Sequence, residues 1–390
     1  MLSRIPTLAL FSLLARNTHA QLPQNYYERF PDQIRKDIRS VGPEMAATEY
    51  SFIGAYRESL STFEKREDKE EQIISVDSLA MIRTLRTAPA KVFILEKADY
   101  HQIILINEAH HQPAHRLFVA SLLPELYRKG FRYLSLEALP GGVRIDKTHP
   151  LATNSGIYTN EPAFAKLVDE ALRLGFEVVG HEADWEDLQK SRDAREAGQA
   201  NYLRKILDRD PSARILAYCG YDHILEGMSG QRRMAAYVQS YTGIDPLTIN
   251  QSELSETDTS PHPMLREISV VVPSVFLTDS GAPLGFFRPN GHRVDMVLIH
   301  PHTTDESGRP TWLWSDPLYR KWPIPSVALT YPVMVSAYRK DVSVKTGVPL
   351  DRVVLSSKTD QKALALPAGK YRILFRSRTG ARLVKEIVVQ

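Results

Sequence analysis

Glu108 and His111 stand three residues apart in Asn107-Glu108-Ala109-His110-His111, directly after the apolar run Ile103-Ile104-Leu105-Ile106. On a helical or turning backbone that spacing aims both side chains the same way. A carboxylate beside an imidazole orients it and raises its basicity, which suits a general base acting on water. The same two side chains are also a plausible pair of ligands for a divalent metal. His115 follows His111 by four residues, a metal-like spacing on one helical face, so a metal set would be His111, His115 and Glu137. Glu137 ends a second apolar strand, Tyr133–Leu136, and is costly to bury there without a partner. Arg116 is placed to clamp a substrate carboxylate or phosphate, or simply to pair with Glu108. His110 is read as structural, pointing away from the pair.

Other strands end in the same kind of chemistry. Phe176–Val179 runs into His181, Glu182 and Asp184, and Arg214–Tyr218 runs into Cys219-Gly220-Tyr221-Asp222-His223. His223 is the best candidate for a second imidazole, with Asp222 as an orienting or capping group. His300 and His302 follow the strand candidate Val294–Ile299 and, with His181 and Asp184, are held in reserve. No glycine-rich phosphate loop, G-x-S-x-G elbow or dinucleotide fingerprint is present. What remains is a His/Glu constellation suited to activating water.

The elements that must position these groups alternate. Pro113 suits a first helical turn, and Leu117, Phe118, Leu122 and Leu126 recur at helical spacing up to Gly130. Strand, helix and strand over Ile103–Leu136 form a crossover unit, read here as two neighbouring parallel strands whose carboxyl ends open on one crevice. Helices at Glu161–Leu174, Ser191–Asp208 and Arg232–Tyr241 separate further strands, among them Pro246–Ile249 and Val270–Leu277. The pattern implies a three-layer α/β fold, its sheet parallel or mixed, with helices on both faces. Val92–Leu95 reads as one more strand, and Ser75–Arg86 as a short helix. Arg57–Glu71 is a dense charge run, the mark of a solvated helix or loop. The long stretch 140–158 covers the crevice or is a surface excursion.

Met1–Ala20 has the layout of a secretory signal: Arg4, an apolar core over Leu8–Ala15, and Thr18-His19-Ala20 as a cleavage site. That core is too short to span a bilayer, and no integral membrane span is expected after signal removal. The chain is therefore read as exported, periplasmic or secreted. Segment 21–90 is a helical, wrapping region; 91–330 is the α/β catalytic-type domain; 331–390, with turn residues between short strands, is a small β-sandwich-like module. A formal charge of +3 gives no basic field for nucleic acid. The single cysteine, Cys219, precludes an intrachain disulfide or a multi-cysteine zinc site.

At these residues the chain resembles the superfamily that joins erythromycin esterases, ChaN-like haem-binding lipoproteins and the Tiki/TraB metalloproteases. The similar segments are Asn107–His111, Leu134-Ser135-Leu136-Glu137, Ser191–Arg195 and Ile215–His223. The resemblance implies a hydrolase acting on a small-molecule or peptide substrate. His111 would be the general base, Glu108 and Glu137 would orient the water, His223 would support, and Arg116 would contact substrate. Its ChaN-like branch implies the alternative of a haem- or metal-binding exported protein, with His110, His111 and His115 in reach of the iron.

Overall fold

A computed structural model describes residues 26–65, 84–227, 230–256, 268–287 and 291–390. The signal read in Met1–Ala20, the charge run beyond 65 and most of the helix expected at Ser75–Arg86 lie outside the described residues.

Nine strands make the central sheet: β1 (Arg86–Pro89), β2 (Ile103–Glu108), β3 (Tyr133–Pro140), β4 (Arg144–Ile145), β5 (Glu177–Glu182), β6 (Ile215–Gly220), β7 (Leu247–Asn250), β8 (Ser274–Leu277) and β9 (Met296–Ile299). Their order is β1-β8-β9-β7-β2-β6-β3-β5-β4. Pairing is parallel from β9 through β5, and antiparallel where β1, β8 and β4 complete the edges. Every residue of β2 is buried. Ile104 and Ile106 enter one core and Ile103 and Leu105 the other, which is why a strand covered on both faces reads as an unbroken apolar run.

The helices follow from the same two cores. Near the N-terminus lie α1 (Pro31–Val41), α2 (Pro43–Phe52) and α3 (Tyr56–Phe63). The sheet is flanked by α4 (Ala90–Ala98), α5 (Pro113–Arg128), α6 (Pro162–Leu174), α7 (Trp185–Lys190), α8 (Arg192–Arg209) and α9 (Met234–Thr242). Ile94, Leu122 and Leu167 place α4, α5 and α6 on one face; Leu203 and Val238 place α8 and α9 on the other. The layout is three-layered and mostly parallel, as the alternation implies.

Two local readings are corrected. Val92–Leu95 is not a strand but part of α4: Ala90, Ile94 and Ala98, four apart, all reach the core. A short apolar run carries no periodicity that separates strand from helix. The crossover strands β2 and β3 are parallel but not neighbours, because β6 inserts between them and pairs with both. That insertion decides the site.

Beyond the sheet, β10 (Tyr319–Pro323), β11 (Val333–Arg339), β12 (Asp351–Leu355), β13 (Ala363–Pro367), β14 (Gly369–Ser377) and β15 (Arg382–Val389) are all antiparallel. A four-stranded sheet and the β10–β13 ribbon share one core containing Val335, Phe375, Leu364 and Leu366. Tyr319–Pro323, upstream of 331, pairs with Ala363–Pro367 of this module. Segment 26–65 packs on it: Phe30, Ile34 and Tyr50 meet Met334 and Val354. No described helix is long and apolar enough to cross a membrane.

Candidate active site

Glu108 and Gly220 end β2 and β6, and Glu137 lies near the carboxyl end of the adjacent β3, which runs on to Pro140. Glu108 lies opposite Gly220 in register, and the backbone N–H of Gly220 donates to Oε2 of Glu137 at 2.5 Å. After Gly220 the chain turns sharply through Tyr221, whose φ of 41° lies in the left-handed region that a tyrosine rarely adopts. The turn delivers His223 to Glu137. Its Nε2 is 3.1 Å from Oε1 of Glu137, and its Nδ1 is 2.7 Å from Oε2 of Glu196 on α8. Arg195, the preceding residue on α8, donates to Glu137 at 2.6 Å and to Glu182 at 2.5 Å.

On the other side of Gly220 stands His110. Its Nδ1 is 2.8 Å from Oε1 of Glu108, and its ring stacks on Tyr158 with centroids 3.7 Å apart and meets Tyr221 edge-on. A Cβ placed on Gly220 would lie 2.5 Å from Nε2 of His110 and 3.3 Å from Oε2 of Glu137. The imidazole and the carboxylate therefore face each other across a position that only glycine can fill without displacing the ring.

The electrostatics give each group a fixed state. Burial alone would raise the Glu108 carboxyl, but Arg116 and His110 outweigh it and hold it at about 2. Burial is likewise overcome at Glu137, which His223 and Arg195 keep well below the ordinary carboxylate range. Burial would also lower His223, yet Glu137 and Glu196 push it up to about 10, so it is an imidazolium at neutral pH. In that state it carries a positive charge and no free base nitrogen.

Among the expected site residues, Glu108, Glu137 and His223 come together, and His111 does not join them. It lies face to face with Phe63, with centroids 3.4 Å apart, and lines a cavity to which Glu108, Glu137 and His223 do not contribute. His110, read from the sequence as structural, takes the place expected for His111. The E-x-x-H reading assumed a turning backbone, whereas β2 continues to Glu108 and the turn starts at His110. The period of two proper to a strand, applied one step beyond its end, pairs Glu108 with His110. Arg195 falls in the Ser191–Arg195 segment of the resemblance, yet local spacing marks neither it nor Glu196 as a site residue, because a long amphipathic helix hides which of its charges face inward.

Arg116 does not face a substrate. It is wholly buried and donates to both oxygens of Glu108 at 2.6 Å, to Glu161 at 3.1 Å and to the His110 carbonyl at 2.9 Å. It anchors Glu108, the pairing alternative that its sequence position had left open. His181 is buried, with Nδ1 2.9 Å from the Ser135 hydroxyl, and burial holds it down at about 3. Asp184 accepts from the Tyr202 hydroxyl, Asp222 pairs with Arg233 near the surface, and His300 contacts Gln251.

The metal set of His111, His115 and Glu137 is divided. Glu137 is bonded to Arg195, His223 and the Gly220 N–H, while His115 stacks near His300. Among the described residues, no group of three or more His, Cys, Asp or Glu has metal-holding geometry. Two cationic groups on Glu137 also disfavour a divalent ion there. Nor do His110, His111 and His115 converge on one haem-sized volume, since His110 belongs to the polar cluster and His111 to the separate cavity. Cys219 is buried, and burial together with Glu137 and Glu196 pushes its thiol well up, away from the reactive thiolate.

No protein-family model and no curated protein matches the chain. Solved structures do. The type III effector HopBA1 superposes with a TM-score of 0.32 at 12% identity, over 55% of this chain and 97% of that one. RRSP, a MARTX toxin effector domain from Vibrio vulnificus CMCP6, gives 0.28 at 16% identity, over 56% of this chain and 48% of that one. The C-terminal region of Pasteurella multocida toxin, with its thiol-protease-like triad, gives 0.31 at 10% identity, over 88% and 53%. Scores and identities this low carry no argument about the site, which stands on its own geometry.

Proposed function

We propose that the chain is an exported hydrolase that uses His110 to activate water against an ester or amide carbonyl of a small-molecule or peptide substrate. The observation that carries this reading is the Glu108–His110 couple facing Glu137, His223 and Arg195 across Gly220. Glu108 accepts the Nδ1 proton of His110 and leaves Nε2 as the base. Water gives its proton to Nε2 as its oxygen bonds to the carbonyl carbon. Arg195 and His223, now held by Glu182 and Glu137, stabilise the oxyanion that develops by shifting a hydrogen bond from one of these carboxylates to it. When the tetrahedral intermediate collapses, His110 returns the proton to the departing alkoxide or amine. The signal-like Met1–Ala20 supports export.

The test is a panel of ester and peptide substrates on the purified chain, with His110→Ala and His111→Ala compared. His110→Ala is expected to lower kcat by roughly 10²–10⁴-fold, the range for a general base, while His111→Ala leaves the chemical step intact. The reverse ranking, or hydrolysis undiminished in His110→Ala, would remove the mechanism.

A further inference from the structure

Apart from the polar cluster, a cavity of about 980 Å³ lies between α4, α5 and the loop 311–319. We propose that it binds an uncharged, elongated apolar small molecule that carries one hydrogen-bonding end, the chemistry of a long-chain alcohol. The proposal is independent of the hydrolase reading.

The size is at the upper end of small-molecule pockets, which run from about 300 to 1,000 Å³. The wall is apolar by helical periodicity. Ala114, Leu117, Ser121 and Pro124 recur along the outer side of α5, and Val92 and Leu95 oppose them from α4. The mouth is ringed by apolar side chains left in water: Val271 is 91% exposed, Val92 59% and Leu318 54%. A soluble surface rarely gathers such residues around a hollow unless something covers them.

One end of the cavity is polar. His111, Gln112 and His300 meet there, with Nε2 of His300 2.9 Å from Oε1 of Gln251. Burial keeps His300 at about 4, so at neutral pH its imidazole is an uncharged hydrogen-bonding group. Behind it, 4.7 Å away between centroids, His115 is buried with an Nε2 that has no hydrogen-bond partner. A hydroxyl at this end meets the uncharged His300 imidazole and the Gln112 amide.

A charged head group fits less well. Among the described lining residues the two permanent cations, Arg57 and Lys91, are committed to carboxylates: Nε of Arg57 is 2.9 Å from Asp305, and Lys91 is 3.3 Å from Glu125. Glu170 is likewise paired with Arg173 at 2.6 Å. A fatty-acid carboxylate would have to displace one of these partners, whereas an alcohol would not.

The experiment is a fluorescence titration of the full chain with N-phenyl-1-naphthylamine, followed by displacement with dodecan-1-ol and with dodecanoate. Saturable binding at one site is expected, with the alcohol displacing the probe at least about tenfold more effectively than the carboxylate. Leu117→Trp and Ala114→Phe place bulk inside the cavity without touching the polar cluster. Each is expected to weaken probe binding at least about tenfold while circular dichroism melting stays close to that of the parent. Absence of saturable binding in the parent chain overturns the site. Equal displacement by the two competitors overturns the uncharged ligand class. Unchanged binding in either variant that melts like the parent overturns the location.

Discussion

Two ionisable residues of the cluster pull the pH dependence of stability in opposite directions. His223 is raised in the folded state from about 6.5 to about 10, so its contribution is complete below pH 6.5 and is lost as pH rises through 10. Glu108 is depressed from 4.5 to about 2, so its contribution is present above pH 4.5 and is lost as pH falls through 2. Buried His181 and His300, held down at about 3 and about 4, also lose their contribution as pH falls below 6.5. Urea midpoints measured across pH are therefore expected to peak near pH 6.5 and to decline on both sides. His223→Gln should remove most of that alkaline decline. An alkaline limb as steep in His223→Gln as in the parent would contradict the imidazolium. At this scale Arg116 matters as much as the groups it serves, because a wholly buried guanidinium held by Glu108 and Glu161 leaves Glu108 only one geometry in which to meet His110.

At the scale of elements, the central fact is where β6 lies. Had β2 and β3 paired directly, Glu108 and Glu137 would flank each other as two repelling carboxylates. With β6 between them, the Gly220 N–H and His223 enter the gap and bond Glu137, while Glu108 is held by Arg116 from α5. Gly220 has φ −88° and ψ 147°, which any residue adopts, so the glycine is required by space and not by backbone conformation. Gly220→Ala is accordingly expected to fold, to lose about 1–3 kcal/mol from crowding at His110, and to cut turnover at least about tenfold. Thermal melting and steady-state hydrolysis read the two effects separately. Full turnover in this variant would show that His110 and Glu137 need not face each other.

On the scale of the whole molecule, the two ends of the chain support one another. Nε of Arg352 on β12 donates to the Ser336 hydroxyl, and its Nη1 reaches the carbonyls of Tyr27 and Phe52. Arg309, buried, pairs with Asp351 at 2.6 Å. Gly54, at φ +70°, sits so close to the Arg352 carbonyl that any side chain would collide with it. Deleting residues 331–390 would leave Phe30, Ile34 and Tyr50 uncovered and Arg309 without its carboxylate. The truncated chain is expected to be insoluble or to lack a cooperative melt, as read by soluble yield and near-ultraviolet circular dichroism. A truncated chain that melts with the parent would show the module to be dispensable.

The sequence by itself determined the layered α/β core, since apolar runs of strand length alternating with amphipathic helices have few other ways to bury themselves. It also marked the strand ends as the place for chemistry and singled out Glu108, Glu137 and His223, because polar groups that close apolar strands must find partners or a crevice. What lay beyond it were the choices made by neighbours distant in the chain. Strand order put β6 between β2 and β3, the turn beginning at His110 exchanged that residue for His111, and α8 supplied Arg195 and Glu196 from across the sheet. Local spacing records which way a side chain points relative to its own backbone. Which buried charge it meets depends on packing between segments far apart in sequence, and that is decided by the folded molecule alone.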